Sequence, residues 1–310
     1  MTVIRTYDAA GSGFQMDSAT SNGILLDDGS PAPDVTLLSN TGSELSFEVT
    51  SPFPFRYFTV GYSLAYPNIT IGYINAYDQN HAIALSVGSI DLTISLTDSP
   101  LAIPLLTGND SITGNKYNDR IYAGPGADQI YGAAGADRLH GNNGNDLIHA
   151  GSGADRLFGE GDNDVLYGEG GSDILNGGGG QDMLLGGGGN DTLLGLGGAD
   201  TLSGGKGKDV FKYATAKQGN DQITDFHRAQ SDKIQVVSKN FHKLAKGTLA
   251  SGRFTANASG IAKDANDYFV FNTTTHTLYY DKDGSGSGAA VKLATFTNGA
   301  NLRHTDIVVV

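Results

Sequence analysis

An aspartate stands at every ninth position between residues 110 and 209: Asp110, Asp119, Asp128, Asp137, Asp146, Asp155, Asp164, Asp173, Asp182, Asp191, Asp200 and Asp209. Two residues after each lies an apolar side chain: Ile112, Ile121, Ile130, Leu139, Ile148, Leu157, Leu166, Leu175, Leu184, Leu193, Leu202 and Phe211. Agreement in all twelve units at both positions marks one small unit stacked on the next. If two units make one coil, Asp110 stacks under Asp128 and Asp119 under Asp137, about 4.8 Å apart. Like charges at that separation repel by roughly 1 kcal/mol in water, and by several times more where they are partly buried. A column of six carboxylates therefore needs a counter-ion. Carboxylate and carbonyl oxygens in a flexible frame suit Ca²⁺ better than Mg²⁺, which demands a tighter octahedron and keeps its water. The absence of cysteine and of clustered histidine argues against zinc.

The elements that must position these carboxylates follow from the residues between them. The stretch GGGGQDMLLGGGGNDTLLGLGGADTLSGG, residues 177–205, has the composition of a flexible linker, yet linkers do not hold an apolar position in register. A nine-residue period fits neither a helix nor a plain strand, and paired glycines cost a helix interior about 1 kcal/mol each relative to alanine. The pattern suits a tight turn followed by a very short strand. Glycine permits the positive φ that turns carbonyls toward a common centre, and the x-apolar-x triplet sends its middle side chain inward.

The units GAAGADRLH (132–140), GNNGNDLIH (141–149), GGGGQDMLL (177–185) and GGGGNDTLL (186–194) resemble the nonapeptide repeats of RTX, or haemolysin-type calcium-binding, proteins. The resemblance covers about a third of the chain. It implies a parallel β-roll with calcium held between turns by the twelve aspartates and by carbonyls of the glycine turns. Six turns per flank give about five inter-turn sites on each side, and hence a ceiling on the order of eight to ten calcium ions. The units depart from the pattern at their fourth position, where Tyr117 and Asp162 replace glycine, and residues 105–107 lack the leading glycines. Weak sites are expected near Asp119 and at the N-terminal edge. Asp162 either adds a ligand or strains its turn.

The 18-residue coil also aligns outward positions. Arg120, Arg138 and Arg156 form a ladder, with Tyr122, His140 and Phe158 two residues further along each strand. Arginine beside aromatic surface suits carboxylated polymers, through bidentate pairing and ring stacking, and resembles the polysaccharide-binding modules of bacterial alginate epimerases. The alternative is that these arginines offset the aspartate columns or pair with Glu160 and Glu169. Leu147, Val165, Met183 and Leu185 on one side, and Ile174, Leu194 and Val210 on the other, point outward as docking surface for a neighbouring domain.

After Phe211 the repeat ends, and QITDF (222–226), KIQVV (233–237), DYFVFN (267–272), TLYYD (277–281), AVKLATF (290–296) and DIVVV (306–310) read as strands covering the open end of the roll. NDQITDFHRAQSDKIQ, TLYYDKDGSGSGAAVKLATF and DIVVV resemble the cap and uncleaved signal that follow RTX repeats in proteins exported by type I secretion machinery. Asp281 and Asp283, in D-K-D-G-S-G, fit either another calcium loop or a plain Asp/Gly hairpin turn. Before the repeats, DVTLL, LSFEV, FRYFTVGYSLAY, NITIGYINAY and IDLTISL alternate in the manner of a small β-sandwich. Its tyrosines, Tyr57, Tyr62, Tyr66, Tyr73 and Tyr77, form either a sugar-stacking face or strand packing.

Composition narrows the function. The 310 residues carry a formal charge of −13. The basic and acidic side chains number 2 and 10 in residues 1–104, 6 and 15 in residues 105–211, and 12 and 8 in residues 212–310. Acidity in the first two regions argues against a nucleic-acid partner. No apolar window reaches a transmembrane length, and the start lacks the basic segment and apolar run of a signal peptide. Neither H-E-x-x-H nor G-x-S-x-G occurs. The expectation is an all-β, secreted, calcium-dependent protein in three parts: an N-terminal β-module (1–100), a parallel β-roll (101–211) and a C-terminal β-cap (212–310). Its function is expected to be binding or adhesion to surface polysaccharide. The alternative is a secreted hydrolase or lyase with its site in the N-terminal module.

Overall fold

The computed structural model describes residues 108–310, apart from residues 115, 242, 243, 286 and 287, and within the first 107 residues it describes strands alone. Those strands include Val35–Asn40, Glu44–Val49, Tyr57–Ala65 and Asn68–Ala76, which pair in sequence as an antiparallel meander. Leu92–Leu96 then pairs parallel with Asn68–Ala76 on one side and with Ser111–Thr113 on the other. The sandwich core and the tyrosine face expected in this region fall on side chains outside the described residues.

From Ser111 to Tyr213 the chain is an all-β parallel roll. Each unit contributes one short strand, consecutive units lie on opposite sheets, and each strand pairs with the unit two further on. One sheet carries Ile112, Ile130, Ile148, Leu166, Leu184 and Leu202 in register. The other carries Ile121, Leu139, Leu157, Leu175, Leu193 and Phe211. All twelve are buried, so the interior is two interlocking apolar stacks. Every x-apolar-x triplet read from the sequence forms its strand. This is the expected consequence of a period-two pattern that keeps the middle residue of every triplet apolar and inward.

The stacking does not stop where the repeat does. Asp221–Ile223 pairs parallel with Thr201–Lys206, and Lys233–Val236 with Val210–Tyr213, which places Ile223 over Leu202 and Ile234 over Phe211. Phe296 then covers Ile223, and Ile307 covers Ile234. At the far end of the second sheet, Gly247–Thr248 runs antiparallel to Ile307–Val309, the one antiparallel pairing in that sheet. The remaining C-terminal strands, Phe254–Asn257, Phe269–Asn272, Thr277–Tyr280 and Val291–Phe296, wrap aromatic side chains around this end, with Phe296 in contact with both Phe226 and Phe271.

Two turn positions carry the backbone strain. The fourth residue of each unit holds φ between +117° and +149° wherever it is glycine, and Asp162 takes +72° in the same place. The second residue is left-handed whatever its type: Gly178 and Gly187 at +111° and +102°, but also Ala133 at +78°, Glu160 at +80° and Leu196 at +73°. A side chain in that region costs about 1–2 kcal/mol. Ala133 is exposed and has no packing to lose. Ala133→Gly is therefore expected to stabilise the calcium-loaded protein by about 0.5–1 kcal/mol once the looser unfolded chain is deducted, measured by chemical denaturation in calcium.

Candidate metal centre

The twelve repeat aspartates line two columns, one on each flank of the roll. Each is almost fully buried, although its side chain belongs to a surface turn. In nine of the twelve units a glycine five residues earlier lets the next coil close over the carboxylate, and Ala123 and Ala150 hold the same place before Asp128 and Asp155. A Cβ built on Gly132 would stand 2.6 Å from Asp137 Oδ2 and 2.5 Å from the carbonyl oxygen of Ala150. On Gly168 it would stand 2.7 Å from Asp173 Oδ2 and 2.6 Å from the carbonyl oxygen of Gly186. The turn thus brings a carboxylate oxygen and a carbonyl oxygen of the next coil into one confined space.

Within a column the two carboxylate oxygens have different fates. The backbone N–H of Asp110 donates to Asp128 Oδ1 at 2.7 Å, and that of Asp128 to Asp146 Oδ1 at 2.8 Å. The same link joins Asp119 to Asp137, Asp137 to Asp155, Asp155 to Asp173 and Asp173 to Asp191 at 2.7–2.8 Å. Oδ2 is left over. In Asp137, Asp146, Asp155, Asp164, Asp173, Asp182, Asp191, Asp200 and Asp209 it is buried and accepts no hydrogen bond. An anionic oxygen out of water and without a donor is among the costliest arrangements a fold can hold.

That cost appears as displaced acidity. Burial pushes the carboxyls of Asp137, Asp146 and Asp173 up to about 7 and that of Asp164 to about 8, with neighbouring aspartate charges adding to the rise and the donated backbone bond opposing it. Asp182 and Asp191 rise to about 6 for the same first reason. Such columns hold either protons or cations. Paired carboxylate and carbonyl oxygens, with no sulfur or imidazole among them, fit a hard divalent cation of flexible geometry, which is Ca²⁺.

The family model of the RTX calcium-binding nonapeptide repeat (4 copies) matches residues 106–139, 131–166, 140–175, 149–184 and 176–211. Residues 106–211 are RTX calcium-binding repeats. No curated protein matched the chain. The match covers the stretch that carries the twelve buried repeat aspartates.

Beyond the aspartates, RTX units are tied together on their outer rim. The residue before the aspartate accepts the backbone N–H of its counterpart one coil on, as in Ala127 N to Asn109 Oδ1 at 2.8 Å and Asn163 N to Asn145 Oδ1 at 2.9 Å. Asp162 Oδ2 accepts the N–H of Gly144 at 3.1 Å, which explains how a non-glycine residue is held in its turn. Two ligand-like residues were not legible as part of the columns. Asp221 Oδ1 accepts the N–H of Asp200, and Asp232 Oδ1 that of Asp209, both at 3.1 Å. Their spacing from the previous aspartate is 21 and 23 residues and so breaks the period. The surviving signal is local: Asp221-Gln222-Ile223 and Asp232-Lys233-Ile234 keep the aspartate and the apolar residue two positions later.

Asp281 and Asp283 lie apart from the columns, at the end of Thr277–Tyr280. Asp281 Oδ1 accepts the N–H of Asp283 at 3.2 Å and Asp283 Oδ2 that of Gly288 at 2.9 Å, the bonding of a self-closed turn.

The arginine ladder is in register, Arg120 to Arg138 to Arg156. Arg138 Nε donates to His140 Nε2 at 2.9 Å and its guanidinium lies 5.0 Å from the Phe158 ring. Arg120 and Arg156 are exposed. Glu160 and Glu169 pair with histidines and not with arginines: His140 Nδ1 lies 2.7 Å from Glu160 Oε1 and His149 Nδ1 2.8 Å from Glu169 Oε1. Tyr122, His140 and Phe158 stack on one another at 4.4 and 4.5 Å between centroids. A second stack, Tyr131, His149 and Tyr167, forms on the opposite sheet at 5.2 and 4.5 Å. The ring faces are turned to each other, and the edges are what a ligand would meet. Of the apolar residues expected to point outward, Met183 is the most exposed, and Leu147, Val165 and Leu185 are half-buried.

Competition between protons and calcium gives a testable sign. The folded carboxyls titrate well above the ordinary value of 3.8. Without metal, the roll is therefore most stable below pH 4 and loses stability as pH rises through about 6–8. With calcium the trend reverses, because the deprotonated form is the ligand. Calcium binding at pH 7 is expected to release protons. Calorimetry in two buffers of different ionisation heat checks this, and identical heats would contradict it.

Proposed function

We propose that this chain is a secreted calcium-binding protein whose RTX tract is folded and held by calcium at the repeat aspartates, with a ceiling on the order of eight to ten ions. The observation that carries the reading is the run of buried Oδ2 atoms without a donor, facing carbonyl oxygens of the next coil. Calcium, when bound, supplies the positive charge the columns lack. The chain's own residues do the rest. Oδ1 of each aspartate locks the coil before it, the glycine turn opens the space for Oδ2, and the apolar stacks fix the distance between coils. Where calcium is scarce the columns repel and the chain stays unfolded. Where calcium is millimolar, folding follows by mass action.

The experiment is a calcium titration of the intact protein followed by circular dichroism, in chelator and in calcium. Cooperative gain of β-structure supports the reading, and an equally folded chain in chelator would sink it. Export of such a chain by type I machinery through its C-terminal segment agrees with the likeness of residues 220–310 to that class of signal. Among the described residues no helix is long and apolar enough to cross a membrane.

The finer reading is adhesion to an acidic polysaccharide through the arginine column. It is supported by two exposed guanidiniums, on Arg120 and Arg156, at strand register on one face. With ring faces already stacked, recognition would rest on carboxylate pairing and not on sugar stacking. Retention on an alginate column in calcium, lost on replacing Arg120 and Arg156 by alanine, is the corresponding test.

A further inference from the structure

The two aspartate columns end differently. On one flank the last carboxylate is Asp232. Its Oδ1 accepts the N–H of Asp209, and its Oδ2 accepts the N–H of His227 at 2.6 Å. Beside it, Asp225 takes the N–H groups of Gly204 and Gly205 at 2.8 and 2.6 Å and the hydroxyl of Ser203 at 2.8 Å. Every oxygen of Asp225 and Asp232 has a donor, so on this flank the terminal carboxylate is capped by hydrogen bonds and the last donorless oxygen is Oδ2 of Asp209.

On the other flank the last carboxylate is Asp221, which is 1% exposed. Its Oδ1 accepts the N–H of Asp200, but its Oδ2 is buried and accepts nothing, as in the repeat aspartates before it. The side chains of Asp200 and Asp221 lie against each other and interact directly. The hydroxyl of Tyr213, also buried and without a partner at hydrogen-bond geometry, lies next to Asp221. Two anionic carboxylates in contact inside a protein must share a proton or a cation. Three hard oxygens around one dry point favour the cation.

We propose that one further calcium site lies beyond the repeats, between Asp200 and Asp221 with Tyr213 at its rim, and that no counterpart lies between Asp209 and Asp232. Asp221 and Asp232 fall outside residues 106–211, where the repeat family is matched. The inference rests on the calcium reading of the columns and adds to it an asymmetry: one flank ends on a metal and the other on a hydrogen-bonded cap.

The test is native mass spectrometry of the full chain at saturating calcium, comparing wild type with Asp221→Asn and Asp232→Asn. Asparagine can keep the Oδ1 bond in each case. Asp221→Asn is expected to bind one calcium fewer than wild type, and Asp232→Asn the same number. An unchanged count in Asp221→Asn, or one ion lost in both variants, overturns the proposal while leaving the repeat sites standing. A wild type that binds no calcium sinks the parent reading as well. Should Asp221→Asn fail to fold, Tyr213→Phe removes only the hydroxyl beside Asp221. With terbium as the probe, its tyrosine-excited emission is expected to fall below that of wild type, and unchanged emission overturns the site.

Discussion

Asp155→Ala is expected to raise the calcium concentration needed for half-folding at least tenfold, and yet to make the calcium-free chain no harder to fold. The two halves have separate causes. Asp155 holds Oδ2 buried without a donor, and its Oδ1 accepts the N–H of Asp137 at 2.7 Å. A hydrogen bond to a charged group contributes about 1.5–3 kcal/mol, and tenfold in concentration corresponds to about 1.4 kcal/mol. That bond is lost with or without calcium, so the rise in threshold comes from the lost ligand. In the empty roll the same carboxylate is a buried charge without a donor on Oδ2, so its removal relieves repulsion in the column. A substitution that destabilises with calcium and not without it identifies a ligand. The midpoint of the calcium-induced circular dichroism change reads the first half, and the same variant in chelator reads the second. If both states are weakened equally, Asp155 is a structural cap and the metal account of the columns fails.

Gly171→Ala is expected to be the most disruptive single methyl group in the roll, costing about 3–5 kcal/mol or abolishing folding. Gly171 holds φ +142°, and a Cβ there would be driven into the carbonyl oxygen of Gly153 in the neighbouring coil. Neither the angle nor the contact can relax, because the Gly153 carbonyl is backbone locked between two stacked strands. Gly161→Ala is the control. Its φ is not positive, and the nearest atom to its Cβ is Asn143 Oδ1 at 3.7 Å, so the change should stay within about 1 kcal/mol. Guanidinium denaturation of both variants in saturating calcium separates these outcomes. Equal stability would mean that the fourth position of the unit has no special demand for glycine.

Much of the roll was legible because its constraints are periodic. An aspartate and an apolar residue in fixed register define the coil, the two columns and both stacks, and the described structure places all twelve pairs where that register puts them. What was hidden is instructive. Asp221 and Asp232 were lost because insertions stretch the spacing by 3 and 5 residues from 18, which hides them from any count of nine. A rule on the local triad, aspartate then apolar two residues on, recovers both. The strand triplets of the C-terminal region were also legible, whereas their place as continued coils was not. Parallel stacking over Leu202 and Phe211 depends on which strand lies next in space and not on any residue pattern in the strand itself. The meaning of the outward ladder was legible only in part. Spacing put Tyr122, His140 and Phe158 on one line, but not their rings face to face, which follows from planar side chains meeting at strand separation.

The short strand Gly247–Thr248 has a consequence for how copies of this protein behave toward one another. A stack of identical parallel coils ends in a row of free backbone groups that matches the start of another such stack, the geometry from which fibres grow. By lying antiparallel against Val308 and Val309, this strand gives the sheet a last edge of reversed polarity and only two residues in length. An incoming coil finds neither the register nor the direction it would need, so calcium can lengthen order within one molecule without propagating it to the next.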